Sequence, residues 1–174
     1  MNPVTVAFVG LGSNLGDSVG TVRTALSALD TLAQTRLLRA SRLYRTPAWG
    51  VTEQPDFINA VAMLETSLTP PALLAGLLAI EHRAGRDRRA DGSDRWGPRT
   101  LDLDLLLYGD AVVDEPGLHV PHPHLHERAF VLVPLVEIAP DAVIAHIGLA
   151  HEALARIDAG DIQALPYADP TADT

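Results

Sequence analysis

Residues 95–110 read RWGPRTLDLDLLLYGD, and they place two carboxylates, Asp102 and Asp104, inside a run of leucines. In an extended strand, positions i and i+2 project to one face. Asp102 and Asp104 therefore share a face, while Leu101, Leu103 and Leu105 fill the other. The leucines turn to a core and the acids turn away from it. Read as a strand over 100–108, this stretch closes a pattern that begins at the first residues.

Working outward, VTVAFVG at 4–10 is apolar and β-branched and predicts a first strand. LGSNLGDS is a turn with two glycines that ends in good N-cap residues. Val19, Val22, Ala25, Leu26, Leu29 and Leu32 recur at helical spacing, giving a helix over 18–32. Residues 36–45 predict a second strand, TPAWGVTEQP a loop, and Phe57 to Thr66 a third strand that holds Asn59 among apolar neighbours. Thr69 and Pro70 are suited to N-cap and N1 of a second helix. Its apolar face is Leu73, Leu74, Leu77, Leu78 and Ile80, and Gly85 stops it. After residues 100–108, Gly109-Asp110 is expected to turn into a short partner strand at 111–113. Residues 129–147 are strongly apolar, interrupted by Pro134 and Pro140, and fit helix or strand equally. A weak helix follows at 148–158, and the acidic tail, residues 161–174, is expected to be loose.

The order β-α-β-β-α-β over 108 residues is the ferredoxin-like pattern: an α+β fold with an antiparallel sheet and helices packed on one face. The other face is then left to an active site under mobile loops. One domain over 1–160 is expected, since 174 residues suit a single core. That fold hosts many functions and decides none of them.

Composition removes several classes. A net charge of -9 argues against general affinity for nucleic acid. Apolar runs fall short of the ~18–20 residues of a membrane span, and the first residues lack the pattern of a signal peptide. Cysteine is absent, which removes disulfides and thiolate metal sites and fits a cytoplasmic protein. All 13 basic residues are arginine. A P-loop nucleotide site needs lysine and is excluded. Six arginines, at 83, 86, 88, 89, 95 and 99, gather immediately before the acidic strand.

Adjacent carboxylates repel unless a cation lies between them. A hard divalent ion such as Mg²⁺, with phosphate oxygens completing its shell, suits such a pair. Guanidinium forks suit phosphate. The plain alternative is a solvated sheet face with the two acids paired to Arg95 and Arg99. The histidines at 119, 122, 124 and 126 raise the possibility of zinc, but Pro121 and Pro123 break regular structure there and no cysteine supports it.

RWGPRTLDLDLLLYGD closely resembles the signature of the 6-hydroxymethyl-7,8-dihydropterin pyrophosphokinases of folate biosynthesis. GLGSNLGD at 10–17, SRLYRTPAWG at 41–50, QPDFINAVAMLET at 54–66, IEHRAGR at 80–86 and VPHPHLHERAFVLVPLVEIAP at 120–140 resemble that family in the same order. The resemblance implies transfer of pyrophosphate from ATP to the pterin's hydroxymethyl oxygen, releasing AMP. It implies two Mg²⁺ ions at Asp102 and Asp104, with Arg86 and Arg99 joining those acids as catalytic residues. ATP would meet Arg88, Arg95, Trp96, Arg99, Leu105, His122 and Arg128. Phe57 and Phe130 would sandwich the pterin, Asn59 would read its polar edge, and Thr46, Pro47 and Trp49 would complete the pocket. Residues 86–97 would form a lid over ATP, and the partners would be these small molecules, with no nucleic acid or membrane, on a monomer.

The sequence also departs from the family. GRDRRADGSDRWGPR is three residues longer than the usual loop, so the pairing of Arg88 and Arg89 with the family's arginines is open. Gly117 and His119 stand where some members carry Arg and Thr, Leu78 where some carry Gln, and Trp49 where some carry a smaller residue. Two other classes compete: a metal-dependent phosphohydrolase with the same acids and arginines, which would not need Phe57, Asn59 and Phe130, and a non-catalytic ferredoxin-like binding module, which would not need the acids.

Overall fold

The strand at Phe57–Thr66 organises the molecule, because three other strands pair with it directly. In the computed structural model, which describes residues 3–48, 53–85 and 100–166, the chain begins β1 (Thr5–Ser13), α1 (Ser18–Asp30), β2 (Thr35–Ala40), β3 (Tyr44–Thr46), β4 (Phe57–Thr66), α2 (Pro70–Arg83) and β5 (Asp102–Tyr108). It continues through β6 (Val113–Glu115), β7 (Leu118–Val120), α3 (Ala129–Ile138), β8 (Val143–Ile144), β9 (Gly148–Leu149), α4 (Ala150–Ala155) and β10 (Gln163–Ala164). The main sheet runs β10-β3-β4-β1-β5, with β2 also on β4, and every pairing is antiparallel. This is the expected α+β, ferredoxin-like arrangement.

Local chemistry sets the helix ends where the sequence placed them. The Asp17 carboxylate accepts from the Gly20 N–H at 3.1 Å, and the Thr69 hydroxyl accepts from Ala72 N–H at 3.3 Å with Pro70 at the first helical position. Each satisfies a donor that the first turn leaves without a helical partner. Gly85, at φ +90°, takes the left-handed conformation that stops α2.

The period of two splits the strands except near Leu106 and Leu107, where the β1–β5 register shifts and both leucines join the second cluster. Ala7, Val9 and Leu11 of β1, Ile58, Ala60, Ala62 and Leu64 of β4, and Leu103 and Leu105 of β5 join Val22, Leu29, Leu73 and Leu77 of α1 and α2 in one core. Val61, Met63, Phe8 and Leu106 turn the other way and pack with Leu132, Leu135 and Ile138 of α3 and Ala153 of α4. Both faces are thus partly covered, where helices on one face alone were expected. The ambiguous segment from 129 folds as α3 with Pro134 inside it, and its apolar surface closes the far end of the second face.

Four other local expectations are revised. β1 runs to Ser13, three residues past Gly10, because β4 and β5 flank it on both sides. The single strand expected at 36–45 is two, and Ser41 bridges the break: its N–H donates to the Val61 carbonyl and its hydroxyl accepts the Val61 N–H, both at 2.9 Å. β5 gains no hairpin partner at 111–113. β6 pairs with β7 instead, and the outer edge of β5 is met by the Glu81 carboxylate, which accepts the Leu103 N–H at 2.8 Å, and by the His122 N–H, which bonds the Leu106 carbonyl at 3.0 Å. The first part of the tail is tied down, since β10 pairs with β3 and the Leu165 N–H bonds the Leu43 carbonyl at 2.8 Å.

Candidate active site

Register brings several of the predicted site residues onto one face. Tyr44 stands opposite Asn59, Asn59 opposite Gly12, and Gly12 opposite Asp102. In the next row Val61 faces Gly10 and Gly10 faces Asp104. Directly opposed residues in an antiparallel pair project to one side. Asn59, Asp102 and Asp104 therefore lie on the same face, and they are separated only by the backbone of Gly10 and Gly12. Phe57, two residues from Asn59, shares that face, opposite Thr46.

The two glycines are not equivalent. A Cβ at Gly12 would lie 2.8 Å from Asn59 Oδ1 and 3.7 Å from Phe57 Cδ1. A Cβ at Gly10 would first meet the Leu106 side chain, at 3.5 Å, an ordinary contact. Close approach thus requires glycine at 12, where it keeps open the strip between the amide and the acids. Asn59 is itself buried, and its Nδ2 donates to Thr46 Oγ1 at 2.6 Å. That bond orients the amide and leaves Oδ1 toward Gly12.

His122 approaches the same face from the segment after β7. Its Nδ1 accepts the His124 N–H at 3.2 Å, so the neutral ring carries its proton on Nε2. Burial, aided by the positive charge of Arg128, lowers its pKa to about 4, against a weaker upward pull from Asp102. His122 is therefore a neutral donor near neutral pH. The Arg128 guanidinium lies 5.7 Å from the Phe130 ring centroid, within cation–π range. Thr46, Pro47, Arg128 and Phe130 line one side of a cavity of about 340 Å³.

Leu105 sits otherwise. Its side chain is 5% exposed and belongs to the α1/α2 core, so only its main chain can serve a ligand on the acidic face. Trp49, Arg86, Arg88, Arg95, Trp96 and Arg99 lie outside the described residues, as does the expected lid at 86–97. Among the described residues no three potential ligands gather as a metal cluster. His119 pairs with Asp114 at 2.8 Å and His124 with Glu127 at 3.1 Å, which accounts for two of the four histidines behind the zinc alternative.

Two supporting acids escaped the sequence reading. Glu81 is 2% exposed, and its bond to the Leu103 N–H holds the residue between the two aspartates. The signal available was an acid beside Ile80 on the apolar side of α2. Glu137 of α3 accepts the Tyr44 hydroxyl and the Arg42 N–H, the latter at 3.0 Å, tying α3, which carries Phe130, to β3, which carries Thr46. Its signal was a lone acid within VLVPLVEIAP.

Fold and face together describe an α+β protein that gathers an aromatic ring, an amide and paired carboxylates on one face of its sheet. The chain belongs to the 7,8-dihydro-6-hydroxymethylpterin-pyrophosphokinase family, whose model matches residues 8–140. It is 45% identical over 160 residues to a 2-amino-4-hydroxy-6-hydroxymethyldihydropteridine pyrophosphokinase of Methylorubrum extorquens, covering 92% of this chain and 98% of that one. A Pseudomonas aeruginosa protein of the same name is 45% identical over 161 residues, covering 92% and 97%. Among solved structures, an HPPK-DHPS in complex with substrates superposes with TM-score 0.71 at 12% identity, covering 94% of this chain and 47% of its own. A wild-type Plasmodium falciparum HPPK-DHPS with pteroate gives TM-score 0.70 at 12% identity, covering 90% and 43%. The chain thus spans about half the length of those two, and at that identity they speak to the fold alone.

Proposed function

We infer that this chain is an ATP-dependent pyrophosphokinase of folate biosynthesis, acting on 6-hydroxymethyl-7,8-dihydropterin. The hydroxymethyl oxygen attacks the β-phosphorus of ATP, forming an O–P bond as the bond from that phosphorus to the α,β-bridging oxygen breaks. AMP leaves, the hydroxyl proton is lost, and the pterin carries the pyrophosphate. The observation that carries this reading is the row Asn59–Gly12–Asp102, which sets an amide reader and an acid on one face across bare backbone.

The residues present fit Mg²⁺. Asp102 and Asp104 offer hard oxygen donors from one face, and the neighbouring positions across β1 are glycines without a Cβ to crowd them. Two ions held there would offset triphosphate charge and acidify the acceptor hydroxyl. The chain's own groups do the rest. Phe57 and Phe130 stack on the pterin ring, Asn59 binds its polar edge, and Thr46, Pro47 and Trp49 close the pocket. Neutral His122 donates from Nε2 to a nucleotide oxygen, Arg128 adds positive charge beside it, and the Leu105 main chain meets the nucleotide. Arg86, Arg88, Arg95, Trp96 and Arg99 take the phosphates and nucleotide, orienting the triphosphate for in-line attack. We assign the activity to a monomer in the cytoplasm, with no nucleic-acid or membrane partner. Among the described residues no helix is long and apolar enough to cross a membrane.

One assay tests the whole reading. The protein is incubated with ATP and Mg²⁺, with and without the hydroxymethyl dihydropterin, and nucleotide products are separated. AMP formed only with the pterin is the expected result. ADP, or phosphate released without pterin, would make it a hydrolase, and no turnover would leave a binding module.

A further inference from the structure

The family model ends at residue 140, yet the chain beyond it returns to the site. β10 pairs with β3 in the register Gln163–Arg45 and Ala164–Tyr44, so it runs beside the strand that leads into Thr46 and Pro47. The turn before β10 is consequently held against that end of the sheet. It is internally fixed as well: the Asp158 carboxylate accepts the Gly160 N–H at 2.9 Å, and the Ile162 N–H bonds the Ala159 carbonyl at 3.3 Å.

Ile157, Asp158, Ala159, Asp161 and Ile162 line the same cavity of about 340 Å³ as Thr46, Pro47 and Phe130. Ile157 packs against the same apolar cluster as Phe130. Ile157 and Ile162 are half-buried, whereas Asp158 and Asp161 are exposed. The cavity therefore has largely apolar walls that also include Arg128, and a rim where the acids Glu127, Asp158 and Asp161 outnumber that one cation. Its volume lies at the lower end of small-ligand pockets, roughly 300–1,000 Å³. Apolar walls favour a flat, uncharged ring. Carboxylates at the rim raise the cost of bringing an anion in, which is discrimination by repulsion.

We propose that the segment 157–162 is the outer wall of the acceptor pocket and selects its acceptor: Ile157 and Ile162 limit ring substituents, and Asp158 and Asp161 disfavour acceptors that carry a negative charge. The proposal rests on the reading of Thr46, Pro47 and Phe130 as acceptor-binding residues. Arg128, placed with the nucleotide, lines the same cavity, so ATP binding is measured beside the acceptor KM to keep the two effects apart.

The test uses the full chain. Pterin-dependent AMP release by the wild type is measured first, and its absence would sink the function itself and the wall with it. With turnover present, Ile162→Trp, which adds a bulky ring at the cavity wall, should raise the acceptor KM at least tenfold while the dissociation constant for ATP stays within twofold. An unchanged acceptor KM would overturn the wall and leave the function standing. Should the tryptophan variant lose ATP binding, Ile162→Ala decides: it should accept a dihydropterin with an added ring methyl that the wild type disfavours, narrowing that discrimination at least fivefold. Equal discrimination would overturn the proposal. The paired change Asp158→Asn and Asp161→Asn, which keeps the turn's hydrogen-bond acceptor, should strengthen inhibition by a carboxylated pterin at least threefold more than it changes the KM of the neutral acceptor. Unchanged inhibition would remove the charge half of the proposal.

Discussion

The two faces of the sheet are built from the same strands and have opposite properties. Toward α1 and α2, Val9, Leu11, Ala60, Leu64, Leu103 and Leu105 are all 5% exposed or less, and the face is continuous apolar packing. Toward α3, the apolar cover of Phe8, Val61 and Met63 stops partway, and the same strands then present Gly10, Gly12, Phe57, Asn59, Asp102 and Asp104. The pleat separates stability from chemistry at single-residue resolution. Substitutions one residue apart on β5 should therefore have different kinds of effect.

The largest expected effect breaks the chemical face alone. Asp104→Asn keeps the volume and removes the charge opposite Gly10. Loss of a carboxylate proposed to hold the metal should cost several kcal/mol of transition-state stabilisation, roughly a thousandfold in turnover. The melting temperature should move by no more than a few degrees, because Asp104 contributes nothing to either apolar cluster. Steady-state rates and thermal melts check both halves. Activity within tenfold of the wild type would refute the role given to the pair.

The helical face should respond in reverse. Leu77 is fully buried between α2 and the sheet. Leu77→Ala should cost about 2–5 kcal/mol of stability, lowering the melting temperature by something like 4–20 °C for a chain of this size. Well below that temperature, turnover should stay within about twofold. A large loss of kcat in a fully folded Leu77→Ala protein would mean that the faces are coupled after all.

Much of this division was legible in the sequence. Alternation around Asp102 and Asp104, the lone Asn59 within an apolar strand, and the caps at Asp17, Thr69 and Gly85 are local signals, and they mark β4, β5 and both early helices closely. The rest depended on partners distant in sequence. The break between β2 and β3 is sustained by Ser41 exchanging hydrogen bonds with Val61, and no local pattern announces that. The segment from 129 is apolar on nearly every side because it lies between the sheet and α4, so its periodicity could not separate helix from strand. The β6–β7 hairpin turns at Gly117, φ +78°, within a Pro-Gly signal that could have been read. Residues 163–165 act by bonding main chain to β3 and Leu43, an interaction that leaves little trace in side-chain type.

Gly12→Ala tests the boundary between the two behaviours. The new Cβ would stand 2.8 Å from Asn59 Oδ1, so the amide or the strand must shift. Overpacking of this kind costs about 1–3 kcal/mol, and the displaced amide should raise the pterin KM more than the ATP KM. The same substitution at Gly10, where Leu106 is met first, at 3.5 Å, should be milder on both counts. Equal effects at the two glycines would show that the open strip beside Asn59 is not what glycine preserves.

The smallest effect sharpens the comparison through pH. His122 has its pKa lowered to about 4 from an ordinary 6.5, chiefly by burial. Above pH 6.5 the ring is neutral folded and unfolded, and it imposes no penalty. As pH falls below 6.5 the unfolded chain takes up the proton first, so the folded state loses stability progressively until about pH 4, where the native ring also protonates and the loss levels off. His122→Asn keeps a short side chain able to accept the His124 N–H but cannot titrate. The stability difference between wild type and variant should therefore shift in the variant's favour between pH 7 and pH 5, by on the order of 1 kcal/mol. Denaturant midpoints at the two pH values measure it, and the acids common to both proteins cancel in the difference. A difference independent of pH would mean that His122 takes up its proton in the folded chain as readily as in the unfolded one, and the burial invoked for its lowered pKa would have to be abandoned.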